Sequence, residues 1–308
     1  MEQTIINQVA TISLLMLVGV LARKLKILSP PTVKGLSNLL VNLVLPSQII
    51  VSFILEFSPE MLLNASLVLA MAVAIHLLAI LLGELLFRSY PPSTRAVLRF
   101  ATVFSNCAYM GFPVLDGIYG TIGVFYGSFY NMAFILFVWT RGLSYFNGRG
   151  KGTKITGLLL NPGLVAIAIG LLLFVSPFDF PPPVIQTLEI VGSMTTPLSM
   201  LIIGSTLAGI KLSSLFTEAS TYYVSLVRLL LMPLLVVTGL YFLRLPSLPA
   251  QVLILQTAMP AAALTAVFAE KYNGDTLLAS KTVFLSTVFS LVTIPLIVVL
   301  LRYLGLAI

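Results

Sequence analysis

Three side chains that are able to form hydrogen bonds, those of Asn106, Gln256 and Thr257, lie within long apolar runs of the sequence. Each of the two runs also contains a proline, Pro113 in NCAYMGFP and Pro260 in QTAMP. Carboxamide and hydroxyl groups offer donors and acceptors, so they are suited to hold a small polar group or a carboxylate. Their position beside the prolines predicts a binding site where apolar helices are interrupted.

The composition places these residues in a membrane protein. Of 308 residues, 58% are hydrophobic and 9% are charged, and the mean hydropathy is +1.07. Apolar runs of about 20 residues recur, which is the helical length that crosses a bilayer. The first run is expected to be a retained membrane helix, not a signal peptide. We predict an all-α integral membrane protein with ten transmembrane helices, at residues 4–22, 33–55, 61–87, 97–118, 121–140, 156–175, 184–209, 217–243, 249–270 and 276–305.

The distribution of positive charge indicates the topology. If successive loops alternate between the two sides of the membrane, all but three of the 17 Lys and Arg residues fall on one side. Loops rich in Lys and Arg remain cytoplasmic, so both termini are expected to be extracytoplasmic. The formal charge of +7 is then explained by topology and requires no nucleic-acid partner.

The chain divides into two similar halves. A polar, glycine-rich segment, residues 144–155, is predicted to be a cytoplasmic linker between residues 1–143 and 156–308, which hold five spans each. Five spans per half would make the second half enter from the opposite side, as in the inverted repeats of many secondary transporters. Two proline pairs recur at similar offsets, 151 and 147 residues: Pro46 with Pro197, and Pro113 with Pro260.

The prolines predict broken helices. Pro113 has no backbone N–H, so the helix is expected to stop near Tyr109 to Gly111, where Gly111 supplies a flexible backbone, and to restart at Pro113. Unpaired backbone groups are costly in lipid, so a break at mid-depth predicts a cavity. The positive N-termini of the restarting half-helices would converge there and attract an anion. Expected apolar walls are Tyr109, Phe112 and Met259.

A purely structural interpretation of the same residues remains open. Asn106 could cap a backbone carbonyl at a kink, and Pro113 could bend a packed helix. Pro46 and Pro197 could equally be structural kinks. Asn131, in the fifth span, faces either the cavity or a neighbouring helix.

Several motifs resemble the auxin efflux carrier family, which comprises plant auxin exporters and their bacterial relatives. NCAYMGFP followed by Tyr119 and Gly120 is similar to the family's fourth span, and AMP followed by VFAEKYN is similar to its ninth. Asn161 with Pro162 also matches. One departure is Gly163, which stands close to where plant carriers have a second asparagine. The central loop is short, as in bacterial members.

The resemblance implies a fold, a site and a mechanism. The fold would have proline-crossed helices 4 and 9, a scaffold of helices 1, 2, 6 and 7, and a transport domain of helices 3–5 and 8–10. Homodimers and elevator-type movement would follow. Asn106, Pro113 and Pro260 would belong to the substrate site, together with Tyr109, Gly111, Gln256, Thr257 and Asn131 as predicted from the residues.

The resulting hypothesis is a secondary transporter of a small organic anion in the bacterial inner membrane. The resemblance to bacterial relatives implies malate-like or malonate-like acids, and the departures from the plant pattern make auxin a poorer candidate. The alternative is an anion-binding sensor or a channel without carrier activity. A membrane-embedded enzyme is disfavoured because no acidic pair lies at depth, and Asp116 lies near the end of its span. No metal or cofactor is predicted, since Cys107 is the only cysteine.

Two residues are candidates for coupling transport to an ion gradient. His76 lies in the third span, and a free imidazole titrates at a pH of about 6.5, although a lone histidine in an apolar helix is more often a packed residue. Arg228 lies deep in the eighth span, where it could pair with a carboxylate or carbonyl, or extend towards an interface. Sodium coupling is the alternative to proton coupling, with oxygens from Ser105, Ser286 or Thr287.

Overall fold

A computed structural model of the protein describes residues 2–147, 160–176, 180–209, 218–245 and 247–304. These residues are mostly helical, and among them the only β-type pairing is an isolated bridge between Ser105 and Ala261. Six helical stretches are long and apolar enough to cross a membrane: Pro30–Ser52, Pro59–Leu86, Thr121–Phe146, Pro182–Ala208, Ala219–Leu243 and Thr276–Tyr303. The chain is therefore an all-helical, multi-pass membrane protein.

The helices of the first half are α1 (Glu2–Lys24), α2 (Pro30–Leu39), α3 (Leu45–Ser52), α4 (Pro59–Leu86), α5 (Pro92–Val103), α6 (Phe112–Tyr119), α7 (Thr121–Phe137) and α8 (Leu143–Asn147). Those of the second half are α9 (Pro162–Val175), α10 (Pro182–Ser193), α11 (Thr195–Ala208), α12 (Ala219–Leu226), α13 (Met232–Leu243), α14 (Ser247–Ala258), α15 (Leu264–Lys271) and α16 (Thr276–Tyr303). Each predicted span contains helix. The count of ten crossings and the inverted relation of the halves stay predictions.

The predicted start of the linker is wrong, and the predicted start of the sixth span, at residue 156, lies outside the described residues. Residues 144–147 were expected in the linker but belong to α8, which continues the fifth span; the rest of that segment, 148–155, lies outside the described residues. The described part of the sixth span begins only at Pro162, because Asn161 caps α9 by accepting hydrogen bonds from the N–H groups of Gly163 (3.0 Å) and Leu164 (3.4 Å). Proline in the first turn and an Asn cap are strong signals for a helix start.

Proline explains three of the four π-helical turns among the described residues; the fourth, at residues 138–142, is not followed by a proline. Five-residue π-helical turns at 40–44, 107–111 and 227–231 each end two residues before a proline, namely Pro46, Pro113 and Pro233. A proline in a helix removes one N–H donor and clashes with the preceding turn. A wider turn on its N-terminal side accommodates that ring, and π turns of this kind occur frequently at functional sites.

The chain separates into two compact units. The first unit comprises Met1–Ser66, Ala108–Met132 and Ile155–Gly209, and the second comprises Leu67–Cys107, Ala133–Lys154 and Ile210–Ile308. Each unit combines segments from both halves of the sequence, and α4 and α7 each contribute residues to both units. The assignment of scaffold and transport roles stays a prediction.

Small residues allow close helix packing in the first unit. A Cβ on Gly19 of α1 would lie 2.5 Å from the carbonyl oxygen of Leu201 in α11. A Cβ on Gly204 of α11 would collide with the carbonyl oxygen of Met16 in α1. Interfaces between membrane helices favour such small residues because they let the backbones approach. The two glycines therefore hold α1 and α11 in direct backbone contact.

The second unit has an apolar core around α5. Its fully buried side chains include Val97, Leu98 and Ala101 of α5, which pack with residues of α12, α15 and α16, among them Val224, Ala269 and Ala279. Phe100 extends this core by contacting the rings of Phe104, Phe146 and Phe268 at centroid distances of 4.5 to 5.6 Å. The core fixes the C-terminal end of α5, where the candidate site begins.

Candidate functional site

Two interrupted segments cross inside the second unit. Helix α5 ends at Val103 and helix α14 ends at Ala258, and each is followed by a buried extended stretch. The stretches pair antiparallel: the N–H of Asn106 donates to the carbonyl of Pro260 (2.7 Å), and the N–H of Ala262 donates to that of Phe104 (2.9 Å). We call residues 104–106 and 260–262 the crossing.

The crossing corrects the predicted position of the first break. The helix does not stop near Tyr109 to Gly111; it ends at Val103, and residues 107–111 form a π-helical turn that leads into α6. Gly111 has ordinary helical torsions, φ −66° and ψ −46°, so it provides no flexible joint. Pro113 does lie in the first turn of α6, as predicted. Helix α5 therefore ends where residues 104–106 pair with residues 260–262, and not at Pro113.

The same pairing satisfies several backbone groups that were expected to be unpaired. Residues 104–106 and 260–262 exchange two main-chain hydrogen bonds, and the N–H of Ala261 donates to the hydroxyl oxygen of Ser286 at 3.2 Å. Such mutual satisfaction is the requirement for irregular backbone at membrane depth. The cavity stays a prediction.

Arg228 is the buried cation of the crossing. Its side chain is 1% exposed and donates to three backbone carbonyls, of Thr102 (2.8 Å), Thr257 (2.5 Å) and Met259 (3.1 Å). Pairing with carbonyls, one of the two alternatives for this residue, is therefore correct, and extension towards an interface is wrong. The guanidinium joins the ends of α5 and α14.

The charge of Arg228 is balanced by helix ends. The carbonyls of Thr102 and Thr257 belong to the last turns of α5 and α14. A helix C-terminus carries roughly half a negative charge, so two of them offset about one positive charge. The N-terminus of α15 remains without a side-chain cap at Ala263. The second unit therefore presents an uncompensated positive helix end just beyond the crossing.

Two buried polar side chains near the crossing have no hydrogen-bond partner among the described residues. Gln256, 0% exposed in the last turn of α14, satisfies neither its amide nitrogen nor its oxygen, and the hydroxyl of Ser105 is likewise unpaired and 0% exposed. An unsatisfied buried polar group costs about 1 to 3 kcal/mol. Native proteins rarely retain such groups unless they serve a ligand, a water or a change of state.

Asn106 adds a third polar side chain. It is 6% exposed, and its main-chain N–H is bound to the carbonyl of Pro260. Whether its side chain serves a substrate or caps a backbone carbonyl stays open. With Gln256 and Ser105, three side chains at or next to the crossing can accept and donate hydrogen bonds.

The hydroxyl groups of Thr257, Ser286 and Thr287 already make hydrogen bonds. The hydroxyl of Thr257 donates to the carbonyl of Leu253 (2.8 Å), and that of Thr287 donates to Val283 (2.7 Å). Ser286 donates to the same Val283 carbonyl at 3.1 Å while accepting from Ala261. Of the three hydroxyl groups considered for sodium, only that of Ser105 makes no hydrogen bond among the described residues.

His76 is packed within the second unit. It is 0% exposed, its Nδ1 lies 2.7 Å from the carbonyl oxygen of Ala72, and its ring stacks on Phe137 at a centroid distance of 5.3 Å. These contacts agree with the interpretation of His76 as a packed, hydrogen-bonded residue, which is the more common role of a lone histidine in an apolar helix. A role in coupling stays a prediction.

The remaining predicted site residues belong to the first unit. Tyr109 is half-buried beside the side chain of Ser37, Gly111 and Pro113 are buried at the start of α6, and Asn131 is 4% exposed in α7. Their part in a substrate site stays a prediction, as does the convergence of the α6 and α15 N-termini.

Sequence reasoning missed the antiparallel pairing and the three carbonyl partners of Arg228. No local pattern reveals them, because Arg228 contacts a residue 126 positions away. One signal was present: an arginine in an apolar run needs buried acceptors, and no acidic residue in the apolar spans was an obvious partner.

Comparisons with known proteins identify the family. The family model described as "Membrane transport protein" matches residues 4–157 and again 153–298. An uncharacterized transporter of Methanothermobacter thermautotrophicus is 28% identical over 94% of this chain and 95% of its own length. An uncharacterized transporter of Methanocaldococcus jannaschii is 24% identical over 94% of this chain and 96% of its own length. The resemblance to auxin efflux carriers is thus confirmed: the chain belongs to the auxin efflux carrier-like family of membrane transport proteins, whose members are transporters.

Proposed function

We propose that the protein is a secondary transporter that moves a small organic anion across the membrane. The observation that carries this proposal is the pair of buried, unpaired polar side chains at the crossing, Ser105 and Gln256, beside the carboxamide of Asn106. They lie beside a buried guanidinium and an uncapped helix N-terminus. Membership of a transporter family supplies the class of activity.

The chemistry of these groups favours a carboxylate as the substrate headgroup. A carboxylate accepts hydrogen bonds on two oxygens, and amide N–H and hydroxyl groups can donate to it. Neutral donors suit a substrate that must be released, because they bind an anion more weakly than an additional free cation would. Malate-like and malonate-like acids fit this description, and an auxin-like acid would add an aromatic ring.

The proposed mechanism is alternating access of the elevator type, with one part of the chain carrying the site past a static scaffold. It rests on family resemblance, as do the ten-helix inverted-repeat architecture and the homodimer. The placement of the protein in a bacterial inner membrane, with both termini extracytoplasmic, follows from the resemblance and from the distribution of Lys and Arg. Proton coupling through His76 and sodium coupling remain the two alternatives.

The proposal is tested by uptake of labelled malate, malonate and indole-3-acetate into proteoliposomes. Wild-type protein should take up at least one acid with a saturable rate. Asn106→Ala should lower that rate about tenfold or more, because a lost hydrogen bond to a charged group is worth roughly 1.5 to 3 kcal/mol. The substitution retains the backbone bond to Pro260, so the crossing should persist.

Asn42→Ala is the matched control. This asparagine is exposed in the first unit, and its side chain bonds only locally, to Asn38. The Asn42→Ala variant should take up the labelled acid at the same rate as the wild type. Equal loss in both variants, or no saturable uptake of any acid by folded protein, would refute the organic-anion proposal.

A further inference from the structure

A cavity of about 480 Å³ opens in the second unit, away from the crossing and sharing no residue with it. Its walls come from the end of α4, the first turns of α5, the segment around α8, and the loop after α15. Its charged lining residues are Glu84, Arg95, Arg99 and Arg141. Three guanidinium groups and one carboxylate leave an excess of two positive charges around the cavity.

Glu84 fixes two of the guanidinium groups. Its Oε2 lies 2.6 Å from Nη2 of Arg99, and its Oε1 lies 2.5 Å from Nη2 of Arg141. Each carboxylate oxygen therefore binds one arginine, and the two arginines from different helices are held facing one cavity. Arg141 also lies over the ring of Tyr145, at 5.1 Å from the centroid, which restricts its orientation further.

Hydrogen-bond donors remain uncommitted in this cluster. The Nε of Arg99 is buried and has no acceptor among the described residues. The side chain of Arg141 is 41% exposed, so its outer N–H groups are accessible from the cavity. Ser93, in the first turn of α5, also lines the cavity, and first-turn N–H groups have no partner within their own helix. Donors on two elements, α5 and the turn at residues 138–142, thus surround one space.

We propose that this cavity binds a phosphate-bearing anion. Guanidinium groups match the geometry of phosphate oxygens with paired N–H donors, and helix N-termini favour the same ligand. The volume is within the range of small-molecule sites, roughly 300 to 1,000 Å³. An anion bridging Arg95, Arg99 and Arg141 would neutralise the excess charge that Glu84 leaves.

The position of the cavity allows two sources of the phosphate group. Glu84 and Arg141 lie close to the ends of the apolar stretches Pro59–Leu86 and Thr121–Phe146, so the cavity is at the level of the membrane boundary. Arginines at this level recognise lipid headgroups and also meet soluble phosphate compounds. The shared chemistry is the phosphate group, and the experiment separates the sources.

The test uses the full-length protein in detergent micelles and measures its melting temperature. One series adds inorganic phosphate, with sodium chloride at equal ionic strength as the reference. A second series dopes the micelles with phosphatidylglycerol, with phosphatidylcholine as the reference. A ligand that binds only the folded state raises the melting temperature as its concentration increases.

The variants assign the response to the cavity. Arg95→Gln removes one lining charge but leaves both bonds of Glu84 intact, and it should weaken the apparent affinity about tenfold. Arg141→Gln should also weaken the apparent affinity about tenfold, and it additionally removes the ion pair with Glu84. Arg88→Gln is the matched control, because this exposed arginine is close by in the chain but does not line the cavity.

Each outcome is decisive. A phosphate response lost in Arg95→Gln and kept in Arg88→Gln identifies a site for soluble phosphate compounds. The same pattern with phosphatidylglycerol alone identifies a lipid headgroup site. No response to either probe, or equal responses in Arg95→Gln and Arg88→Gln, would overturn the proposal.

Discussion

Gln256 combines a structural cost with a proposed function. A fully buried carboxamide without a partner destabilises the folded protein, yet it supplies a donor and an acceptor at the crossing. Replacing such a group by an apolar one of similar shape can be neutral or stabilising. A residue that opposes stability and serves transport is expected to separate these two properties when it is changed.

We therefore predict that Gln256→Met will keep or raise the melting temperature while lowering anion uptake about tenfold. Thermal unfolding and proteoliposome uptake measure the two effects. The control is Gln251→Met, because Gln251 is equally buried in the same helix but has an interaction partner. That variant should lower the melting temperature. Unchanged uptake in Gln256→Met would remove this residue from the site.

Arg228 shows why single residues at the crossing have consequences beyond it. Its three carbonyl acceptors come from the ends of two different helices, so one side chain determines how α5 and α14 meet. Lysine could not replace it, because an ammonium group lacks the planar fork that reaches three acceptors. Arg228 therefore connects the ends of α5 and α14, and this structural role is independent of any role in coupling.

The antiparallel pairing of the crossing gives a prediction at the scale of elements. The hydrogen bonds flanking Ser105 and Ala261 make these two residues a non-hydrogen-bonded pair, whose Cα atoms are typically about 4.5 Å apart. This separation permits a disulfide. Ser105→Cys with Ala261→Cys, in a Cys107→Ser background, should therefore form an intramolecular disulfide.

Mass spectrometry of peptides from non-reduced and reduced protein would detect the bond. The comparison is Ser105→Cys with Ala266→Cys, since Ala266 lies one turn into α15 and does not pair with residue 105. A disulfide in both variants, or in neither, would contradict the register of the crossing.

Helix packing in the first unit gives a second prediction at this scale. Gly204→Ala should destabilise the protein by about 1 to 3 kcal/mol, because the added methyl group collides with the backbone of α1 at Met16. Gly239→Ala is the matched control: it is also helical, but its methyl group meets nothing within 4 Å. Thermal unfolding in detergent distinguishes them. A melting temperature equal in the two variants would contradict the close contact of α1 and α11.

At the scale of the whole molecule, the charge pattern predicts orientation. In a Cys107→Ser background, Ser58→Cys should react with a membrane-impermeant thiol reagent in intact cells, because residue 58 follows the second predicted span. Ser89→Cys, after the third, should react only once the membrane is permeabilised. The reverse pattern would place both termini in the cytoplasm.

The sequence predicted some parts of the molecule well. Apolar runs located the helices, and Pro260 marked the second break, since α14 ends two residues before it. The first break was misplaced because Val103 ends α5 through pairing with residues that are distant in sequence. A proline such as Pro113 is accommodated by a π-helical turn and the first turn of α6, so it did not end a helix.

The candidate site was predictable by residue type but not by contact. Asn106 and Gln256 stood out as polar residues in apolar runs, whereas the acceptors of Arg228 are main-chain carbonyls that any residue could supply. Periodicity and composition carry no information about such partners. The same holds for Glu84, whose two arginine partners come from other helices.

The central claim is that an organic anion bound at the crossing is carried across the membrane, and counterflow tests it most directly. Proteoliposomes loaded with an unlabelled carboxylate should accumulate the labelled acid transiently above its external concentration. Asn106→Ala and Gln256→Met should show no such accumulation. Flux that neither saturates nor responds to internal substrate would indicate a channel, and binding without flux would indicate a sensor; either result would contradict the carrier.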